Sequence, residues 1–372
     1  MIYLNNAATS WPKPKYVAQY MTNSLNEFPC SAHRSGFEEE ENDNCRDLIA
    51  KLLKIDDPND IVYGSNATFG LNLAIQGFQF NKGDKILTTA AEHNSVLRPL
   101  YYLKKNRNIE YEILDVDEEG RIDPNIWEEK IKEIKPRMVI FTHASNVTGA
   151  INNAEQLSNI AKKYSCVVLL DASQSLGLID VYPKQWNIDM VAFTGHKYLL
   201  GPQGTGGLYV YPKIKLNSIL QGGTGIYSDE DTMPIEMPLS LEAGTPNDVS
   251  FKGLEAALRW SFENPINKNK IDYLVNKIKK ELKSMNVNVI DVSGETTPVI
   301  SFTVDGYSVN EVGEILQMSF DIICRSGLHC APLIHKCLKT SPDGTLRISL
   351  SRFTTQEEVD YFINALKDII NG

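Results

Sequence analysis

Asp171 closes the apolar run CVVLLD at 166–171, and Lys197 follows later, within TGHKYLLGPQGTGGLYV at 194–210. An aspartate at the end of a hydrophobic run is commonly a turn or cap residue, and a lysine among glycines is commonly a solvated loop residue. Together the two also suit pyridoxal phosphate. Lys197 would bond covalently to its aldehyde, and Asp171 would keep its ring nitrogen protonated, so that the ring accepts electrons from a carbanion. Further residues of fitting type occur along the chain. His93 in AAEHNSV would offer an imidazole to stack on a flat ring, and Asn146 in THASNVTG would hydrogen-bond the ring's phenolic oxygen or a substrate carboxylate. Gln174 in DASQS would reach the same oxygen.

A phosphate group needs backbone N–H donors, which a helix start supplies together with a favourable dipole. The segment GSNATFGLNLAI at 64–75 fits, with Ala67 and Thr68 expected to cap the helix and to present amides and a hydroxyl; a plain helix cap is the ordinary alternative. The glycines of GPQGTGG and QGGTG carry no GK[ST] ending and no GxGxxG follows a first strand, so they are expected to form turns that pass close to a cofactor rather than a nucleotide loop.

These residues need a frame. Short apolar runs (DIVYG, KILTTA, EYEILDV, RMVIFTH, CVVLLD, MVAFTG and GGLYVYP) alternate with amphipathic segments such as 124–135 and 153–164, the pattern of a βαβ domain with a mainly parallel sheet. His93, Asn146, Asp171 and Lys197 each follow a strand, which places them beyond the carboxyl edge where ligands of such sheets collect. From PNDVSFKGLEAALRW onward the pattern becomes a long helix, a polar stretch, a helix with KIKKELK, then strands VNVIDV and TPVISFTV. The expected division is a large domain over 15–250 and a smaller α+β domain formed by 1–14 with 251–372. The lysines at 277–283 are expected to be a solvated helix face.

The ordered motifs EHN, HASNVTG, DASQ, TGHK, EAGTPN and RSGLHCAP resemble the class V aminotransferase family of pyridoxal phosphate enzymes, and within it the cysteine desulfurase group, from about Leu4 to Val359. The resemblance implies a fold-type I α/β homodimer with the cofactor at the domain and subunit boundary. It adds Thr194 and His196 to the cofactor set, and Thr245 of EAGTPN as a contact to the partner's phosphate. Cys330 stands where the RxGxHCA motif of group II desulfurases carries its nucleophile; the reactive form is the thiolate, so an imidazole such as His329 or an electropositive pocket is expected beside it. Arg347 matches the arginine that grips a substrate carboxylate, a task for a planar bidentate donor, while Arg352 better suits a surface ion pair. His33 and Arg34 match an HR element that lines the same pocket. The short interval from Cys330 to Arg347 resembles group II, in which an acceptor protein usually takes the persulfide. Leucine at 328, in SGLHCAPL, replaces a second histidine or polar residue of many relatives, which leaves sulfur-versus-selenium preference and the acceptor open.

The expected function is therefore removal of sulfur from L-cysteine to give alanine and a persulfide on Cys330. The alternatives are a selenocysteine lyase, a class V aminotransferase, and a non-catalytic scaffold in sulfur trafficking. With 372 residues, 42% of them hydrophobic, the chain can bury a large core. A net charge of −10 argues against an extended nucleic-acid surface. No apolar run reaches the length of a membrane span, and the start lacks the order of a signal peptide, so a cytoplasmic protein is expected. Its six cysteines are then expected to be reduced. The spacings of Cys324, His329, Cys330, His335 and Cys337 do not give a structural zinc pattern, so no metal is expected.

Overall fold

The computed structural model describes residues 1–27, 44–285 and 287–371. After β1 (Ile2–Tyr3) and helices α1 (Lys15–Asn26) and α2 (Asn44–Leu53), a βα series builds the large sheet. Its strands are β2 (Ile61–Gly64), β3 (Lys85–Thr89), β4 (Glu110–Leu114), β5 (Met138–Thr142), β6 (Val167–Asp171), β7 (Met190–Thr194) and β8 (Gly206–Val210). Its helices are α3 (Ala67–Gly77), α4 (Asn94–Arg107), α5 (Pro124–Ile134) and α6 (Ala154–Lys163). The seven strands lie in the order β2-β8-β7-β6-β5-β3-β4, and β8 alone runs antiparallel to its neighbours.

The apolar runs form this sheet because each is covered on both faces. Every residue of β5, β6, β7 and β8 is buried, as expected of central strands under helices on either side. Leu87, Phe141, Leu170 and Phe193 belong to one core cluster, and Ile86, Ile140, Leu169 and Ala192 to another on the opposite face. The helices start at side-chain caps: Asp123 accepts from Asn125 N and Ile126 N ahead of α5, and Asn153 from Gln156 N ahead of α6. Part of the GPQGTGG run departs from expectation. Gly204 sits in a left-handed turn, but Gly206 and Gly207 lie inside β8, where a Cβ on Gly206 would stand 2.6 Å from the Asn66 Cα. These strand glycines let β8 pass closely beneath the start of α3.

Helices α7 (Asp248–Glu263) and α8 (Lys268–Ser284) lead to β9 (Asn288–Val289), β10 (Val299–Thr303), α9 (Val309–Phe320), β11 (Ile322–Ile323), β12 (Arg325–Gly327), α10 (Ile334–Cys337), β13 (Thr345–Ser349) and α11 (Gln356–Asn371). A four-stranded antiparallel sheet, β12-β13-β10-β9, carries its own core, including Leu274, Ile278, Phe302, Ile348 and Phe362. VNVIDV forms a shorter strand than its apolar pattern suggests. Lys277 and Lys283 reach Asp360 and Asp291 from the outer face of α8. A boundary at 250–251 would separate α7 from the core it packs in, because Phe251, Leu254 and Leu258 share a cluster with Ile49 and Leu53. The amino-terminal segment ties the two units together: β1 pairs in parallel with β11, then Ser10 N donates to the His196 carbonyl at 2.9 Å. Among the described residues no helix is long and apolar enough to cross a membrane.

Candidate functional site

The carboxyl edge of the large sheet gathers most of the residues singled out above. Asp171 ends β6, is buried, and accepts from Ser173 N at 2.9 Å through Oδ1. Lys197 follows β7 on the turn after Thr194. Its ammonium is pushed down to about 8, first by burial and then by the nearby Arg347 and Arg325, against the pull of Asp171. The lysine Nζ makes no hydrogen bond among the described residues. Thr194 is buried, and the His196 carbonyl accepts from Lys13 Nζ at 2.9 Å and from Thr9 Oγ at 3.1 Å, while the His196 Nδ1 is buried without a partner.

His93 is the cap of α4: its Nδ1 accepts from Ser95 N at 3.0 Å, which leaves the ring proton on Nε2. Burial and then Lys197 hold this imidazole down to about 4, so it is neutral at physiological pH. Ser95 Oγ lies 2.8 Å from His93 Nδ1 and 2.7 Å from Thr68 Oγ, linking the ring to the first turn of α3. The cap of α3 is Asn66, whose side chain accepts from Phe69 N, and not Ala67 or Thr68, which are the first helical residues. An Asx side chain satisfies the third amide of the turn, whereas alanine has nothing to offer as a cap. The Ala67 and Thr68 amides therefore remain at the sheet's carboxyl edge, suited to an anion.

From the opposite side the small sheet presents two arginines and a thiol. Arg347 on β13 and Arg325 on β12 are register partners in the antiparallel pair. Like charges directly opposite one another repel, so this arrangement favours binding of an anion. Arg347 is fully buried, donates through Nη1 to the Asn146 carbonyl at 2.8 Å and through Nη2 to Asn5 Oδ1 at 3.1 Å, and keeps a buried Nε with no partner. Burial, then Arg325, lowers it to about 10, so it stays cationic. Cys330 follows β12, and Arg325 Nη2 donates to its sulfur at 3.1 Å.

The expected help from His329 is replaced by that of Arg325. His329 is buried, its Nε2 lies 3.0 Å from both the carbonyl and hydroxyl of Thr345, and burial followed by Arg347 drives it to about 2. A neutral imidazole turned into the core offers the thiol no charge. Gln174 donates to the Ala7 carbonyl at 2.9 Å and keeps a buried Oε1 without a partner. Asn146 donates through Nδ2 to the His329 carbonyl at 2.7 Å. Thr245 is exposed and lies away from this cluster in sequence, on the loop before α7. Arg352 forms no surface ion pair among the described residues: it donates to the Asn264 carbonyl and stacks over Trp260. His33 and Arg34 lie outside the described residues.

Sequence reasoning missed Arg325, Asn5, Ser95 and Glu92. Arg325 stands within the quoted RSGLHCAP, but its role depends on strand register. Glu92 is fully buried and accepts from Thr142 N at 3.0 Å and Thr89 Oγ at 2.6 Å, with Oε2 unpartnered. Its position beside His93 was the one available signal.

The residues fit pyridoxal phosphate on the structure's own terms: an unbonded lysine amine faces a buried aspartate, helix amides await an anion, and a neutral imidazole flanks them. A mainly parallel sheet with this edge is the architecture of fold-type I enzymes, which use that cofactor. The chain belongs to the class V aminotransferase family, whose model, described as Aminotransferase class-V, matches residues 2–362. A protein of Pyrococcus abyssi named "Probable cysteine desulfurase" is 31% identical, over 100% of this chain and 95% of the relative. One of the same name from Methanothermobacter thermautotrophicus is 29% identical, over 99% of this chain and 94% of the relative. The apo cysteine desulfurase of Thermococcus onnurineus NA1 superposes with a TM-score of 0.91 at 30% identity, over 100% of this chain and 95% of that one.

Proposed function

We propose that the protein is a pyridoxal phosphate-dependent cysteine desulfurase, converting L-cysteine to L-alanine and a persulfide on Cys330. The observation that carries this reading is the Cys330 sulfur, held 3.1 Å from the Arg325 guanidinium on the strand beside Arg347. Transfer of an amino group needs no thiol there.

The cofactor, when bound, supplies an electron sink for the substrate's Cα. Lys197, Asp171, His93, Gln174, Thr194 and His196 would hold it, with the Ala67 and Thr68 amides and the Thr68 hydroxyl at its phosphate. Asp171 supplies the negative charge at the end of β6. Arg347 binds the substrate carboxylate through the donors that Asn146 and Asn5 leave in place. Lys197, with its ammonium near 8, has a neutral fraction at physiological pH and removes the Cα proton. The Cys330 thiolate attacks the substrate sulfur: an S–S bond forms, the C–S bond breaks with its electron pair left on Cβ, and a proton at Cβ and one returned to Cα complete alanine. Arg325 donates to the attacking sulfur and fixes its direction.

Thr245 is assigned to the partner's phosphate in a homodimer, and an acceptor protein to the persulfide. The enzyme is placed in the cytoplasm, where its cysteines stay reduced. The test is Cys330→Ala loaded with cofactor and given L-cysteine and a reductant. Sulfide release should disappear while cofactor absorbance is retained; full activity would overturn the mechanism.

A further inference from the structure

Cys330 rides on a short strap, residues 328–331, between β12 and α10. Two consecutive residues of the strap, His329 at φ 50° and Cys330 at φ 60°, adopt the left-handed conformation that non-glycine residues avoid. Such a conformation persists where surrounding bonds over-determine it. Here both carbonyls are held by donors beyond the carboxyl edge of the large sheet: Asn94 N, at the start of α4, donates to the Cys330 carbonyl at 2.7 Å, and Asn146 Nδ2, after β5, to the His329 carbonyl at 2.7 Å.

Asn146 has a second attachment. Its own carbonyl accepts from Arg347 Nη1 at 2.8 Å. The turn that carries it is firm, because the buried Ser145 Oγ accepts from Val147 N and Thr148 N at 3.1 Å each. One buried residue therefore touches both the arginine at the carboxylate site and the strap that carries the thiol.

We propose that Asn146 is a positioning residue that ties the Cys330 strap to Arg347, fixing where the thiol stands relative to a bound amino acid. This rests on the desulfurase reading, since only sulfur transfer needs the two placed together. The side-chain donor holds the nucleophile, the backbone acceptor holds the carboxylate grip, and the distance between them is set by one rigid turn. A substrate fixed by its carboxylate then presents its β-sulfur to a thiol that cannot drift. Misplacement of reacting atoms by about 1 Å costs on the order of a hundredfold in rate.

The test uses the cofactor-loaded enzyme and measures iodoacetamide labelling of Cys330 peptide by peptide, with Cys337 as the internal control. In Asn146→Ala, Cys330 should be labelled about tenfold faster, the factor expected when one hydrogen bond restraining the strap is lost. Cys337 labelling should not change. Persulfide formation from L-cysteine should fall by about a hundredfold. Asn146→Asp, which keeps the size but turns an acceptor toward the carbonyl, should behave like the alanine variant. Unchanged Cys330 labelling in both variants would overturn the proposal and leave Asn146 acting on the bound cofactor or amino acid alone. In the unaltered protein the Asn94 amide should be protected from hydrogen exchange; exchange at the rate of an open loop would show that the strap is not fixed and overturn the proposal even if neither variant folds. Sulfide release by Cys330→Ala at full rate would sink the functional reading instead and leave the labelling comparison standing.

Discussion

Replacing Glu92 with glutamine should make the protein's stability less sensitive to alkali. Glu92 has no exposed surface, and one of its oxygens has no hydrogen-bond partner. Burial first, with Asp171 adding repulsion, raises its carboxyl from the ordinary 4.5 to about 8, against the opposing hydrogen bonds from Thr89 and Thr142. Between those two values the folded protein holds a proton that the unfolded chain has released. Stability from this group is therefore fully present below pH 4.5, is lost as pH rises toward about 8, and is level above that. Each pH unit in the window is worth about 1.4 kcal/mol, so about 3 kcal/mol has been lost by neutral pH and about 5 kcal/mol by the upper end of the window. Glutamine fills the same space and does not titrate. Its amide meets the unpartnered Oε2 position, which adds a pH-independent cost of about 1–3 kcal/mol. The slope, not the offset, carries the test. Urea unfolding of the cofactor-free native sequence and of Glu92→Gln, from about pH 5 to about pH 7, should show the difference shifting toward glutamine by about 1.4 kcal/mol per pH unit. A difference that stays constant across this range would mean that Glu92 is ionised in the folded protein, and the reasoning from its burial would be wrong.

Arg347→Lys should lower kcat/KM for L-cysteine by about a hundredfold, mainly through KM, because a point ammonium cannot keep the Asn146 and Asn5 contacts and also grip a carboxylate in two places; steady-state kinetics decide it. Gly344→Ala should destabilise the protein by about 2 kcal/mol or more, because Gly344 has φ +82° and its added Cβ would lie 2.2 Å from the Gly327 carbonyl oxygen. The shift in urea midpoint measures that cost, and a neutral result would show that the segment entering β13 yields freely. Thr245→Ala should weaken cofactor retention on dilution without altering the absorbance of the bound form, since it removes a contact assigned to the partner's site. Sedimentation alongside absorbance checks it: a monomer that keeps its cofactor would show that one chain builds the whole site.

Much of the frame was legible because the code is local. Seven apolar runs became the seven strands of the large sheet, and the polar caps Asp123 and Asn153 start helices where amphipathic spacing begins. The edge residues His93, Asn146, Asp171 and Lys197 follow those strands, so a parallel sheet brings them together without further instruction. The cap of α3 was misassigned by one residue, because several short polar residues compete at that start and only the backbone geometry chooses Asn66. A helix pattern states which face is apolar, not which core receives it, and α7 packs in the core that holds Ile49 and Leu53.

Hydrophobic period, turn residues and caps act over a few positions, so the elements, their order and the residue types on offer are written along the chain. Which groups meet depends on long-range packing. Arg325 faces Arg347 only through the antiparallel register of β12 and β13, and His329 turned to Thr345, leaving a guanidinium rather than an imidazole beside the Cys330 sulfur. Asn5 reaches Arg347, and Ser10 the carbonyl of His196, only because β1 joined β11 across nearly the whole chain. Such contacts follow from packing two cores against one another, a balance of burial and register that no local stretch of sequence contains.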